Sequence, residues 1–492
     1  MRRTWPCGAY GVTMTHARCP TDPGSPKVPN RRQFLAGSAA ALGLAALPSR
    51  PAGAAGRERR PNVVLVLADD LGYGELGSYG QWQIRTPRLD RLAAEGLRFT
   101  SAYAAAAVCA PSRASLLTGL HGGHATVREN PFGGPQGSLT ADDTTFAEVL
   151  AARGYRTGCF GKWGFGPEEA GQESHPNARG FDEFFGYITH GHAHDYYPEY
   201  LWHNGDRVEL PENADGKKST YAPDLFTSRA LDFIEGADQD PFLLLLTPNV
   251  PHAPSDAPRT GAYDDQPWPE ADKGHAEQVS YLDRTVGAIV DRLRELGLER
   301  DTVLLVTSDN GPHEEGGFNP DRFDANGPLR GYKRNLYEGG IRVPLLAWSP
   351  GRVSPGTSAR PTPLIDLLPT FADLAGGTAP AGIDGRSVAP LLTGTGPAPE
   401  HRSLYWYRND PGSTPRANEA DDGRILRLAE AARSGDFKAV RFAPGRDRTV
   451  PDEQWEVELY HLASDPGERT NVAGRYPRVT KRLVAEMRAA WT

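Results

Sequence analysis

Cysteine is scarce, with four in 492 residues, and there are only three methionines. Four cysteines are too few to staple a chain this long, which excludes a disulfide scaffold. A basic excess is missing too. The 54 lysines and arginines are outnumbered by 62 acidic residues, a net charge of −8, and a nucleic-acid binder should carry a basic face. No apolar run reaches the roughly twenty residues that a membrane helix needs, so no transmembrane segment is expected. Internal repeats are lacking. Glycine (55) and proline (43) fall short of a low-complexity composition and indicate many loops over a packed scaffold. What is there is 38% hydrophobic and 24% charged, enough of each for a soluble protein with a large core. The length allows two or three structural units.

Near the N-terminus, Asn30-Arg31-Arg32-Gln33-Phe34-Leu35 precedes an apolar, small-residue stretch from Ala36 to Leu47. Pro48 and an A-x-A pattern at Ala52-Gly53-Ala54 follow. A basic flank, a short apolar segment and a cleavage site read as a signal peptide over residues 1–54. The paired arginines make it the twin-arginine type, although Asn30 stands where Ser or Thr is usual. The expectation is an exported protein, periplasmic or secreted, carried folded by the twin-arginine translocase. Cleavage near Ala54 would remove seven basic residues and one acidic residue, leaving a net charge of −14 and only Cys109 and Cys159.

Val63-Val64-Leu65-Val66-Leu67 predicts a fully buried strand, and similar runs recur at Tyr155–Phe160, Phe242–Leu246, Val303–Val306 and Val343–Trp348. Helical patterns lie between them at Thr86–Leu97, Ser112–Thr118, Thr144–Arg153, Ala222–Ile234 and Ala276–Leu296. This alternation predicts an α/β fold with a mostly parallel sheet covered on both faces, spanning residues 55–397. From 398 the character changes. Leu404–Arg408, Phe437–Phe442 and Glu456–Leu462 suggest antiparallel strands and Tyr476–Trp491 a closing helix, a smaller C-terminal α+β subdomain over 398–492.

Ligands in such folds bind beyond the carboxyl ends of the strands. The first strand ends in Asp69-Asp70, and Val303–Val306 ends in Thr307-Ser308-Asp309-Asn310-Gly311. Three carboxylates and a carboxamide are hard oxygen ligands, suited to Ca²⁺ or Mg²⁺ and poorly suited to soft metals. One such Asp alone reads better as a turn or cap; two clusters at equivalent positions favour a metal site. Gly72-Tyr73-Gly74-Glu75-Leu76-Gly77 matches G-x-G-x-x-G, but two carboxylates stand between strand and glycines, where they would repel a pyrophosphate.

Cys109-Ala110-Pro111-Ser112-Arg113 is the most informative stretch. It puts a cysteine just before a helix, with Arg113 on the first turn, and both favour negative charge there. On physics alone a thiolate nucleophile and a buried structural cysteine remain open.

Followed by Leu117-Thr118-Gly119, this stretch resembles the signature of type I, formylglycine-dependent sulfatases, which are arylsulfatase-like members of the alkaline-phosphatase-like superfamily. The resemblance runs along the mature chain. It takes in Asn62 to Gly77, Gly161-Lys162-Trp163, Pro251-His252-Ala253-Pro254, Ser308-Asp309-Asn310-Gly311, and Arg330-Gly331-Tyr332-Lys333 leading into Glu338 to Pro344. It closes on Glu458-Leu459-Tyr460 with Asp465-Pro466 and Glu468 to Asn471.

The resemblance implies an α/β/α sandwich and a hydrolase that cleaves sulfate esters to alcohol and sulfate. A maturation enzyme would convert Cys109 to Cα-formylglycine, whose hydrated form attacks sulfur. Asp69, Asp70, Asp309 and Asn310 would hold one Ca²⁺, preferred over Mg²⁺. Arg113 would steady the nucleophile, Lys162 and Lys333 would hold sulfate oxygens, and His252 would help protonate the leaving alcohol. Gly164 departs from the pattern, because the family commonly has there the histidine that expels sulfate. His190, His192 and His194 are candidates to replace it, with His192 and His194 preferred, and His313 is a weaker one. Cys159 reads as a small core residue. A Cys109–Cys159 disulfide would be incompatible with formylglycine.

Two other readings compete: a phosphodiesterase or phosphonate monoester hydrolase on the same fold, and a non-catalytic binder of sulfated glycans. The first would need a second cluster of metal ligands if it used two metals, and only one is found. The second is opposed by the intact set of nucleophile, metal ligands and lysines. A carbohydrate sulfate is the preferred substrate, with Trp202, Trp268, Tyr196 and Tyr197 as a candidate sugar-stacking wall.

Overall fold

The computed structural model describes residues 60–491 except 133, 134, 170, 238 and 239. The signal segment expected over 1–54 lies outside the described residues. The strands of the large sheet are β1 (Asn62–Ala68), β2 (Leu97–Tyr103), β3 (Arg156–Lys162), β4 (Glu183–Tyr187), β5 (Tyr200–His203), β6 (Asp206–Glu209), β7 (Phe242–Thr247), β8 (Thr302–Ser308) and β9 (Arg342–Trp348), with the short β10 (Gly356–Ser358) and β11 (Thr362–Pro363). Their spatial order is β10-β2-β9-β8-β1-β7-β3-β4-β5-β6, with β11 beside β2. Strands β8, β1, β7, β3 and β4 run parallel. β9 is antiparallel to both β8 and β2, and β5 and β6 form an antiparallel edge.

β1 lies at the middle of this sheet, and its unbroken aliphatic run follows from that position, because neither face meets water. Val63, Leu65 and Leu67 enter one core with α2 (Cys109–Thr118), α3 (Phe146–Ala151) and the helix Leu367–Leu374. Val64, Val66 and Ala68 enter the opposite core with α1 (Pro87–Glu95), α4 (Ala222–Glu235) and α5 (Glu270–Glu295). Side chains alternate across a strand, so the two helix layers take alternate residues of it. α5 begins six residues ahead of the apolar periodicity at Ala276. Its first turns are polar, and buried Asp272 there accepts from the Asn319 amide at 2.8 Å and pairs with Arg322 at 2.5 Å.

The second sheet holds β12 (Leu404–Arg408), β13 (Ala429–Ser434), β14 (Phe437–Phe442) and β15 (Glu456–His461), all antiparallel. Trp406, Ala431, Val440 and Tyr460 pack on Tyr103, Tyr337 and Ile341, and Trp406 Nε1 donates to the Ala104 carbonyl at 2.8 Å. Tyr405, Tyr407, Ala432 and Leu459 lie under Leu483 and Met487 of the closing helix Pro477–Ala489. β13 escaped the sequence reading because Ala-Glu-Ala-Ala-Arg-Ser favours helix locally. Pairing on both sides overrides that preference. Among the described residues no helix is long and apolar enough to cross a membrane.

Candidate active site

β8, β1, β7 and β3 are successive neighbours, and their carboxyl ends all deliver polar residues to one place. Asp69 and Asp70 follow β1, Asp309 and Asn310 follow β8, Lys162 ends β3, and His252 stands in the loop after β7; all six are buried. Asp70 adopts the left-handed region (φ +67°), and its amide donates to Asp309 Oδ1 at 3.1 Å. Cys109 enters from α2, which starts at the cysteine itself rather than at Ser112, with Val108 as the extended cap residue. Pro111 is tolerated in that first turn, where amides lack helical partners. The Ala110 amide instead donates to Asn130 Oδ1 at 2.9 Å.

These groups contact one another directly. Cys109 Sγ lies 3.3 Å from Asp69 Oδ1 and 3.7 Å from Asp70 Oδ1. Lys162 Nζ donates to Asp69 Oδ2 and Lys333 Nζ to Asp70 Oδ2, both at 2.7 Å. Arg113 Nε donates to Asp309 Oδ2 at 2.7 Å, and its Nη1 to the Lys162 carbonyl at 2.8 Å. Asn310 Nδ2 donates to Asp70 Oδ1 at 2.7 Å.

Burial alone would raise Asp69, but Lys162, His252, Arg113 and Lys333 together hold its carboxyl well below the ordinary range. Asp309 goes the other way, to about 7, through burial and the charge of Asp69. Burial and then Asp69 push the Cys109 thiol well above its usual value, so as cysteine it keeps its proton. Cys109 and Cys159 are both free.

Asp69, Asp70, Cys109 and His252 each offer a ligand atom within 4.8 Å of the others. Asn310 Oδ1 is buried with no hydrogen-bond partner. With the carboxylates of Asp69, Asp70 and Asp309 beside it, this is an all-oxygen set that fits a hard divalent cation.

The histidines divide. His252 Nδ1 lies 2.6 Å from the Ala253 carbonyl and so carries the ring proton, which leaves Nε2 to accept from the Lys333 ammonium at 2.9 Å. His194 stacks on His252, centroids 4.5 Å apart and planes at 10°, and His190 meets His194 edge-on at 4.9 Å. His190, His194, His252 and Lys333 line an open cavity of ≈ 610 Å³. The structure does not bring His192 there: its ring faces Tyr200 at 4.3 Å and its Nδ1 lies 3.6 Å from Glu168. His313 is buried with both ring nitrogens engaged, Nε2 on the Pro251 carbonyl and Nδ1 on the Glu315 amide, each at 3.0 Å. A Cβ on Gly164 would lie 3.4 Å from Arg113 Cδ, so that position faces the site, but its backbone sits at φ +98°.

The proposed aromatic wall is not at the cavity. Tyr196 is buried with its hydroxyl on the His252 carbonyl, Trp202 donates to Glu168, and Trp268 stacks on Tyr263; each is a packing residue. Tyr197 packs against Tyr221. The cavity is lined instead by Asn130, Gln136, Glu315 and Arg334 and by the exposed ring of Phe132, which sequence reasoning missed. Arg334 adjoins Lys333 in the chain, and Glu315 pairs with Arg334 at 2.6 Å and Lys333 at 3.5 Å. Their proximity to recognised motifs was the available signal.

The description "Sulfatase" fits residues 61–377, and "N-sulphoglucosamine sulphohydrolase, C-terminal" fits residues 331–491. The chain belongs to the sulfatase family. It is 35% identical over 467 residues to arylsulfatase A of Homo sapiens, covering 86% of each chain. It is 33% identical over 469 residues to N-acetylgalactosamine-6-sulfatase of Canis lupus familiaris, covering 88% of this chain and 86% of that one. The solved structure of Ps i-CgsB with k-i-k-neocarrahexaose superposes with a TM-score of 0.72 at 28% identity, covering 88% and 93%. As a member of this family the chain is a sulfuric ester hydrolase with the alkaline-phosphatase-like sulfatase fold.

Proposed function

We propose that this protein is an exported sulfatase acting on a carbohydrate sulfate, with formylglycine at position 109 and one Ca²⁺. In this reading residues 55–397 form the catalytic domain and 398–492 the C-terminal subdomain. The observation that carries it is the placement of Cys109 against Asp69 and Asp70, with Lys162 and Lys333 each 2.7 Å from one of those carboxylates. Bound at Asp69, Asp70, Asp309 and Asn310, the ion supplies a Lewis acid for the sulfate, and formylglycine supplies the nucleophilic oxygen.

The chain's own residues do the rest. Lys162, from the end of β3, and Lys333, from the loop between β8 and β9, would hold sulfate oxygens. Arg113, braced by Asp309 and the Lys162 carbonyl, keeps positive charge beside residue 109. As the sulfur–oxygen bond of the ester breaks, the Lys333–His252 pair delivers a proton to the leaving oxygen. Burial and the charge of Lys333 lower His252, which keeps the ring neutral, so that Nε2 orients the Lys333 ammonium as the proton donor. His194 and His190, at the cavity wall, are the bases for sulfate release in place of the histidine absent at Gly164. Asn130, Gln136, Glu315 and Arg334 can bond sugar hydroxyls and the exposed Phe132 on the same wall can stack on a sugar ring, which supports the saccharide preference.

The decisive experiment is the mass of the peptide carrying residue 109, from protein produced together with a formylglycine-generating enzyme. A mass matching the aldehyde is expected; unmodified cysteine throughout would overturn the mechanism. Turnover of sulfated saccharides is expected to exceed that of generic aryl sulfates, and the reverse order would overturn the substrate class.

A further inference from the structure

A second group of metal-ligating side chains lies away from the strand ends. His121 and His124 occupy the turn after α2, and Asp384 comes from the loop after Leu367–Leu374. Each offers a ligand atom within 4.8 Å of the others. His124 Nδ1 lies 2.9 Å and 3.0 Å from the two Asp384 oxygens, and His121 Nε2 lies 3.6 Å from Oδ1. Ligands on a tetrahedral zinc ion stand roughly 3.3 Å apart, so these spacings need only small adjustment. The two imidazoles stack at 4.3 Å, and the Asp384 carboxylate also fixes the turn by accepting from the His121 amide at 2.9 Å.

A fourth ligand group, a carboxylate, comes from the closing helix; it stands outside the group whose ligand atoms all lie within 4.8 Å of one another and would swing in to ligate. Glu486 lines a cavity of ≈ 410 Å³ together with His121 and His124. Both its carboxylate oxygens are buried without a hydrogen-bond partner, and its ion pair with the exposed Arg402 is long, at 3.5 Å. The helix end lies hard against this turn: a Cβ on Gly123 would fall 1.9 Å from the Ala490 carbonyl.

We propose that His121, His124, Asp384 and Glu486 form a binding site for one zinc-class divalent ion that clasps the closing helix to the turn following the nucleophile helix. Two imidazoles and two carboxylates select a zinc-like ion over Ca²⁺, whereas the oxygen set at the strand ends selects the reverse. Binding through His121 Nε2 moves that ring's proton to Nδ1 and gives up the 3.1 Å contact from the Gly123 amide, and binding through His124 Nδ1 moves its proton to Nε2 and gives up the hydrogen bond to Asp384.

The test uses the mature chain without a polyhistidine tag, saturated with Ca²⁺ and dialysed against Zn²⁺. One retained zinc per chain is expected, with a higher melting temperature. Co²⁺ in its place should give the visible absorption of a four-coordinate site. The double variant His121→Gln, His124→Gln should lose the ion and the melting shift, and Cys109→Ala should keep both. Glu486→Gln leaves the hydrogen bonds of the turn intact and should weaken zinc at least about tenfold. It therefore tests the site even where the double variant does not fold. No zinc on the wild-type chain, zinc retained by a folded double variant, unchanged affinity in Glu486→Gln, or loss of zinc in Cys109→Ala would each overturn the proposal.

Discussion

The active site and the seam between the two sheets both bury acidic groups against cations, but they complete them differently. At the seam, Lys438 Nζ lies 3.0 Å from Glu338 and 2.9 Å from Glu468, with all three side chains fully buried. Tyr103 donates to Glu338 at 2.7 Å, and Glu468 accepts from the Glu338 amide at 2.6 Å. At the strand ends, Asp69, Asp70 and Asp309 meet Lys162, Lys333 and Arg113 at comparable distances. There, however, Asn310 Oδ1 has neither a hydrogen bond nor an ion pair and Arg113 Nη2 has only a 3.7 Å approach to Asp69, whereas the one seam oxygen without a hydrogen bond, Glu468 Oε1, lies 2.9 Å from the Lys438 ammonium. A buried network joined by hydrogen bonds from its surroundings holds structure in place; one with orphaned atoms is built for something that arrives later.

The sharpest break between the two regions is Cys109→Ser. Turnover of a sulfate ester should fall on the order of 10⁴-fold or more, while the denaturation midpoint stays put. Equivalent damage to the two lysines should separate next. Lys438→Met strands two buried carboxylates and should cost about 3–5 kcal/mol in chemical denaturation, with turnover per folded molecule unchanged. Lys162→Met, measured with saturating Ca²⁺, should lower kcat about 10²–10³-fold and cost less stability than Lys438→Met. If the two variants lose stability equally, the contrast fails.

Chelation gives a smaller effect. Removing Ca²⁺ should abolish turnover reversibly, and restoring it at about 100 times Kd should raise stability by about 2.7 kcal/mol. Lys438→Met should show the same calcium increment as the unmodified chain.

The smallest effect is a pH slope at the seam. Burial, with Glu338 nearby, raises Glu468 to about 7 in the folded chain. A carboxyl raised by folding stabilises fully below its unfolded value and loses that contribution as pH rises through about 7. Stability of the calcium-loaded protein should therefore decline from pH 5 to pH 7, and Glu468→Gln should flatten the decline in urea titrations.

The parallel sheet was legible because its inner strands face two cores at once, and that demand writes unbroken aliphatic runs such as Val63 to Leu67. β2 was not: Leu97–Tyr103 continues directly from the α1 pattern, and pairing with β9 on one side and β10 and β11 on the other makes it a strand. The charged half of the site was legible in part: Asp69 stands at a strand end and Cys109 at a helix start, whereas Lys162 and Lys333 were picked out only by the resemblance of their motifs to the sulfatase family. The cavity wall was not. Whether His192 or His194 faces it depends on one turn of the chain after β4, and alternate histidines there carry no sign of which ring packs on Tyr200. Trp202 and Tyr196 misled for the same reason, since an aromatic residue in a loop looks alike whether it stacks on a ligand or fills a core.

The burial of Cys109 also sets a clock. Its side chain has 0% exposure and sits behind Asp69 and Asp70, so in the finished fold it cannot enter another protein's catalytic centre. An enzyme that oxidises it has only the interval between synthesis and collapse of the sheet around it. If residue 109 is modified, the modified fraction would depend on the ratio of two rates, oxidation to folding. Cooler growth or slower translation should shift that ratio without any change in sequence.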